Sequence, residues 1–379
     1  MSHDADTNRD KQEAVAELCA RMSRRDFTMA SLAMFAASTG SVFAQSGRLE
    51  PPQIAGVVRG KMPPIPVTEE QAQRMFPVDE EPRITTMDKP LIIMSSCPGW
   101  QIGGKRYPAV PFTIEDQAQE IADSFNAGAV AHHVHPRDPK TGLAQINSAL
   151  LKQVLDAAFD KVADFVTMSH TWYPREGVVD YMVDTEELLE WGEGNLYCQG
   201  SVVLPFSGAA ARDAVDKGVR WLEEHDVKPL FEFYDTSAQL HFKQLMDKGM
   251  GKTPYVIHVN LGKHDSTAIH QDPGSYLNAI ANFDIVKQTF PGAHIGWRTG
   301  GRNWLPILVL GVMMGVEMVQ VGIEDAFWRW PHRDELIKKN SESVKWAVDI
   351  ANILGRRVVT DPSEARRQMD MKLTSKLPA

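Results

Sequence analysis

Between Leu91 and Gly355 the chain alternates two kinds of hydrophobic pattern. Short apolar runs, too brief for a helix, read LIIMSS (91–96), AVAHHV (129–134), DFVTMS (164–169), NLYCQG (195–200), PLFEFY (229–234), YVIHVNL (255–261), AHIGWR (293–298) and EMVQVG (317–322). Between them lie longer stretches whose apolar positions recur at three and four, the spacing of one helix face. They cover 113–128, 146–162, a weaker TEELLEWGEG at 185–194, 209–226, 237–249, 275–290, 304–315 and 341–355. The repeat of about 30 residues is that of a strand–helix–strand unit. Buried parallel strands joined by right-handed helical crossovers follow from it. Eight such units predict an α/β fold closed into a (β/α)8 TIM barrel. An open doubly wound sheet is the alternative, but no glycine-rich phosphate turn follows the first strand.

Local signals sharpen the ends of these elements. Thr113 precedes acidic residues and Gly128 follows the last apolar position, so a capped helix is predicted there. Asp361 in DPSEARR predicts the N-cap of a short last helix. Residues 45–88 differ: they are Pro-rich and charged, without sustained periodicity, and predict an extended arm. The division expected is 1–44 as a signal peptide, 45–88 as the arm and 89–379 as the barrel catalytic domain.

Composition narrows the functional classes. The chain has 379 residues, 43% of them hydrophobic, and a formal net charge of -9. That is ample for one barrel, which needs about 250 residues. The acidic balance argues against a nucleic-acid partner, which calls for a basic face. The three cysteines, Cys19, Cys97 and Cys198, form no CxxC pair, so a cysteine zinc site is not expected, and Cys97 and Cys198 read as buried thiols.

The leader SRRDFTMASLAMFAASTGSVFAQS places Arg24-Arg25 before an apolar run and closes on Val42-Phe43-Ala44. It resembles a twin-arginine export signal, implying a periplasmic or otherwise exported protein; the alternative is an amphipathic helix in a cytoplasmic one. The run falls short of the roughly 20 apolar residues of a comfortable span, so no stable membrane anchor is expected.

The chemistry concentrates at predicted strand ends, where barrels of this kind carry their function. VAHHVHPRDPKTG (130–142) places three histidines, an arginine and an aspartate within seven residues. Residues two apart share a strand face, so His133 and His135 point together into the barrel mouth and His132 points to the helices. Two neutral imidazoles side by side form a metal clamp, more readily than two core histidines that each need partners of their own. After strand eight, QVGIEDAFW supplies Glu324 and Asp325. Two histidines and one carboxylate leave zinc an open position for substrate or water. Glu324 or Asp325, the latter more readily, alternatively caps the next helix or pairs with Arg137. Glu232, inward on strand five, reads either as a carboxylate able to take a proton or as a salt-bridged strand-end residue.

HHVHPRDPKTG, VGIED and the tail NSESVKWAVDIANILGRRVVTDPSEARRQM together resemble the β-keto acid cleavage enzyme family, which includes the 3-keto-5-aminohexanoate cleavage enzymes. The likeness runs from about Leu91 to Met369. It implies a zinc-dependent (β/α)8 barrel that transfers an acyl group from a β-keto acid to acetyl-CoA. Matched position by position, it implies His133, His135 and Glu324 as zinc ligands, and Glu232, Asp325 and Ser169 as catalytic groups. It also implies a homo-oligomer, a dimer or tetramer.

Several positions depart from the family pattern. Gln320 stands where the family has an arginine, and Gln101 where relatives with aminated substrates have a glutamate. Arg298 and Arg302 are candidates to restore the lost positive charge at a substrate-binding position, or are structural ion pairs. If the chain is exported, water can replace acetyl-CoA as acceptor. Two competitors remain: an exported zinc hydrolase of the amidohydrolase type, and a non-catalytic exported ligand-binding barrel. The former places its HxH on the first strand and a lysine on the fourth; here HxH is on the second, NLYCQG has no lysine, and His258 on strand six is its only support.

Overall fold

The computed structural model describes residues 66–75, 83–97, 99, 107, 109–145, 147–172, 198–204, 209–224, 226–234, 237–262 and 273–371. The leader, most of the arm, Gln101 and the weak helix expected at 185–194 lie outside the described residues. The chain divides into two units, Met1–Glu81 and Pro82–Ala379.

In the first unit the arm is not wholly irregular. Helix α1 spans Glu69–Met75. Its start is a reciprocal cap: Thr68 N–H donates to Gln71 Oε1 at 3.0 Å and Gln71 N–H donates to Thr68 Oγ1 at 3.2 Å. The T-x-x-Q signature was present in the sequence, but a helix of 7 residues is too short to register as periodicity.

The second unit is the barrel. Its strands are β1 (Ile92–Ser96), β2 (Ala131–His133), β3 (Val166–Trp172), β4 (Cys198–Leu204), β5 (Lys228–Phe233), β6 (Val256–Leu261), β7 (His294–Thr299) and β8 (Met318–Val321). They pair in chain order, all parallel, and β8 returns to β1 to close the ring. The intervening described helices are α2 (Ile114–Asn126), α3 (Ser148–Phe159), α4 (Ala209–Glu224), α5 (Ser237–Asp247), α6 (Pro273–Thr289), α7 (Trp304–Met314) and α8 (Asn340–Ile353), with α9 (Pro362–Gln368) last. Thr113 caps α2 through Asp116 N–H, and Asp361 caps α9 through Ser363 N–H, both as expected.

Several strands end elsewhere than the sequence expectation, β3 among them, which runs on to Trp172 past DFVTMS. β4 runs on past NLYCQG to Leu204, its Val202, Val203 and Leu204 in register with Phe231, Glu232 and Phe233 of β5. β2 stops at His133, so His135 lies beyond the ladder. Pro136 accounts for this: it has no N–H to donate, and it holds the residue before it in extended backbone.

Alternation along the strands sorts the core into two shells. Ile92, Met94, Ala131, Val166, Leu230, Val256 and Met318 fill the lower interior of the barrel. Val359, Ala365, Met369 and Met371 belong to the same cluster. This C-terminal segment reaches the amino end of β1, where Val359 N–H donates to Leu91 O at 2.9 Å, and so closes the barrel floor. The other face of each strand, including Ile93, Phe231, Ile257, Trp297 and Val319, packs against Phe242, Ile307, Val312 and Val344 of the helices and Phe290 just after α6. Each such side chain, buried, contributes about 1.5–3 kcal/mol. With the floor filled, the polar interior begins one layer higher, toward the carboxyl ends of the strands.

Candidate metal and acid–base site

That polar layer follows from the same alternation. Ser96 on β1 and Gln320 on β8 continue the inward row of Met94 and Met318, and His133 is in register with Ser96. Glu232 follows Leu230 on β5, His258 follows Val256 on β6, and the two are in register. Arg298 follows Gly296 on β7 and is in register with Gln320. Glu324 and Asp325 come immediately after β8. All of these side chains are buried.

His133, His135 and Glu324 converge. Their candidate donor atoms lie within 4.8 Å of one another. His133 Nε2 stands 3.0 Å from Glu324 Oε2, and His135 Nε2 stands 3.6 Å from Glu324 Oε1. The two imidazoles meet edge to face, with centroids 4.5 Å apart and planes at 87°. Neither nitrogen of His133 makes a hydrogen bond among the described residues, even though the Glu324 oxygen is so near. Leaving a buried imidazole unsatisfied is costly, and a shared cation removes the cost. Two nitrogens and a carboxylate are the donor set of an open zinc-type site, so these residues fit a metal. Gly99 passes directly over Glu324: a methyl at Gly99 would lie 2.0 Å from Glu324 Cβ, so only glycine permits that approach.

Arg298 occupies the centre of the acidic groups. Its Nε donates to both oxygens of Asp325 at 3.1 Å, and its Nη1 donates to Glu232 Oε2 at 2.9 Å. Its Nη2 forms an ion pair with Glu324 Oε1 at 2.7 Å. Burial works against the guanidinium charge, yet Asp325, Glu324 and Glu232 outweigh it and raise its pKa well above the ordinary arginine value. Asp325 also accepts from Ser96 Oγ at 3.2 Å and from Gln320 Nε2 at 3.1 Å. Three carboxylates against one guanidinium leave two negative charges among these four contacting side chains. A divalent cation would balance them.

The remaining expectations resolve individually. Glu232 is inward and ion-paired at once, with its side chain 1% exposed. Asp325 pairs with Arg298 rather than capping a helix, while Arg137 donates to Gly142 O at 2.9 Å and to Gly99 O, holding the loop after β2. Arg302 stands apart from the cluster: it donates to Arg333 O and Asp334 and stacks over Trp328, with its guanidinium carbon 3.8 Å from the ring centroid. Ser169 lies on β3, and Gln101 lies outside the described residues. His132 points away from the mouth and packs edge-on against Phe165, as expected. Cys97 is a free buried thiol whose pKa rises well above the usual range, first through burial.

Two participants had no local signal in the sequence. Ser96 shows only as an inward position at a strand end. Asn260, inward above His258, donates to Phe233 O at 3.5 Å and leaves its Oδ1 without a hydrogen-bond partner among the described residues. His258 itself lies over β7, where a methyl at Gly296 would be 2.2 Å from its Cδ2. Burial pushes the His258 pKa down to about 3 against the opposing pull of Glu232, so its ring is neutral at ordinary pH.

Known proteins of similar sequence and fold place the chain among its relatives. The 3-keto-5-aminohexanoate cleavage enzyme of Fusobacterium nucleatum subsp. nucleatum is 25% identical over 295 residues, covering 76% of this chain and 100% of that protein. The 3,5-dioxohexanoate:acetyl-CoA acetone transferase of Paraburkholderia graminis is 22% identical over 290 residues, covering 70% and 90%. A ternary complex of ObcA with a C4-CoA adduct and oxalate has a similar fold, with a TM-score of 0.50 and 16% identity over 70% of this chain and 68% of that one. His133 ends β2 with His135 two residues on, and no lysine occurs on β4 (Cys198–Leu204), against the amidohydrolase arrangement. The family described as beta-keto acid cleavage enzyme matches residues 90–371, the whole of the barrel just described, and the chain belongs to that family.

Proposed function

We propose that this enzyme uses zinc to cleave the carbon–carbon bond of a β-keto acid and pass the acyl group to acetyl-CoA. The observation that carries the reading is the convergence of His133, His135 and Glu324 at the barrel mouth, beside the inward Glu232. His133, His135 and Glu324 would hold the metal, which when bound polarises the ketone oxygen of the substrate. Glu232 would take a proton from the carbon between the substrate's ketone and carboxylate and return it to the same carbon of the released fragment, and its ion pair with Arg298 keeps the carboxylate aimed into the barrel. Asp325, gripped by Ser96, Arg298 and Gln320, holds that arginine in place. Gln320 is neutral, so Arg298 supplies the fixed positive charge among these groups. The relative named for acetyl-CoA transfer supports the choice of acceptor.

A second reading changes the acceptor only. The Arg24-Arg25 leader supports twin-arginine export, and outside the cytoplasm water replaces acetyl-CoA. Metal content of the purified chain, followed by a β-keto acid panel with and without acetyl-CoA, separates the readings. Turnover that requires acetyl-CoA supports transfer, and turnover without it supports hydrolytic cleavage. Bound zinc with no turnover on any keto acid leaves a ligand-binding barrel and defeats both. Export is tested by fractionating cells that carry the chain with Arg24-Arg25 intact or replaced by lysines. The proposed homo-oligomer is tested by light scattering on the eluting protein.

A further inference from the structure

We propose that Arg298 is the positioning residue of this site, and that the site requires a cation beside Asp325 rather than an arginine on β7 in particular. The inference rests on the cleavage reading for its turnover measurements, while its metal-affinity measurement stands without it. Every nitrogen of the Arg298 guanidinium faces a carboxylate: Nε faces Asp325, Nη1 faces Glu232 and Nη2 faces Glu324. A group so engaged orients its neighbours instead of meeting substrate. On Glu324 the consequence is directional. Arg298 holds Oε1 at 2.7 Å, which leaves Oε2 turned to His133 at 3.0 Å. Groups that orient metal-binding carboxylates in this way change metal affinity by about 10–100-fold when removed.

The second half of the inference comes from register. Arg298 and Gln320 are paired residues on adjacent strands, about 4.8 Å apart, and both side chains are inward. Both donate to the same oxygen, Asp325 Oδ2, at 3.1 Å each. Exchanging the two residues keeps the same pair of side chains and the same total volume in the buried layer. Position 320 is one strand farther from Glu232 on β5, so the exchange restores the grip on Asp325 and Glu324 more fully than the one on Glu232.

The test compares wild type, R298Q and the exchange variant R298Q/Q320R as full chains. Zinc affinity is read by competition with a chelating dye, kcat and KM on a β-keto acid, and fold by circular dichroism. R298Q is expected to lose about 10–100-fold in zinc affinity. Its kcat is expected to fall by about two orders of magnitude, the range seen when a reacting group loses its alignment. The exchange variant is expected to recover at least about tenfold of the affinity, with kcat recovering less. Unchanged zinc affinity in R298Q overturns the inference. So does a folded exchange variant no better than R298Q. Should R298Q fail to fold, the exchange variant is compared with wild type: affinity within about tenfold supports the inference, and a loss of about a hundredfold overturns it. If wild type binds zinc but cleaves no keto acid, the cleavage reading falls, and the affinity series still decides the role of Arg298.

Discussion

At the residue scale, Glu232 and Glu324 differ in their neighbours rather than in their chemistry. Both are buried and both touch Arg298, at 2.9 and 2.7 Å. Only Glu324 also faces His133 and His135. Removing charge from the two should therefore have separable effects. Glu232→Gln keeps the shape and leaves the three converging donors intact, so zinc content should match wild type. Its kcat on a β-keto acid should fall by about 10²–10⁴-fold, the range for a positioned acid–base group. Metal analysis and steady-state kinetics on one preparation check both halves. Loss of zinc in that variant would move Glu232 into the metal-holding group. This division of labour was only partly legible in sequence. The two-residue spacing of His133 and His135 is local, and alternation makes it readable. Glu232, Arg298 and Glu324 come from three separate strand ends, and no spacing along the chain announces that their side chains meet.

At the element scale, the joints matter more than the elements. The barrel's described strands and longer helices were readable as short apolar runs alternating with stretches of helical period, while the 7-residue α1 was too short for either signal. The contacts that fix them to one another come from single polar residues with no period at all. Asn340, the first residue of α8, is the clearest case. Its Oδ1 accepts from Ile323 N–H at 2.8 Å, and its Nδ2 donates to Ser95 Oγ and to Ser124 Oγ at 3.2 Å. One buried amide thus ties β1, α2, α8 and the segment carrying Glu324. Asn340→Ala removes these partners from three buried groups and should cost about 3 kcal/mol or more. Urea unfolding measures it, and zinc affinity should fall too, since Glu324 directly follows the tethered Ile323. A loss under about 1 kcal/mol would mean that water replaces the amide.

At the scale of the whole barrel, stability is tied to pH through histidines buried as neutral rings. The eight-unit alternation makes the closed barrel legible, but the protonation cost of its interior depends on three-dimensional burial and cannot be read along the chain. His294, the first residue of β7, lies far from the converging donors in sequence and shows the effect without involving His133 or His135. Burial pushes its pKa down from 6.5 to about 4, with Glu317 opposing the shift and Lys89 and Arg356 adding to it. The unfolded ring titrates near 6.5, so between there and pH 4 the unfolded chain binds more protons than the folded one. Stability is therefore unaffected above the upper limit and falls as pH drops through the window. Over 1.5 pH units below the upper limit, one such ring accounts for about 2 kcal/mol. His132 and His258, each lowered to about 3, act in the same direction. His294→Leu removes one of these proton sites and keeps the position apolar. Urea unfolding at pH 7.5 and again at pH 5.0 should show that the variant loses about 2 kcal/mol less than wild type between the two conditions. Equal losses would mean that the folded His294 takes up its proton as readily as the unfolded one, and that its buried ring does not contribute to the acid limb.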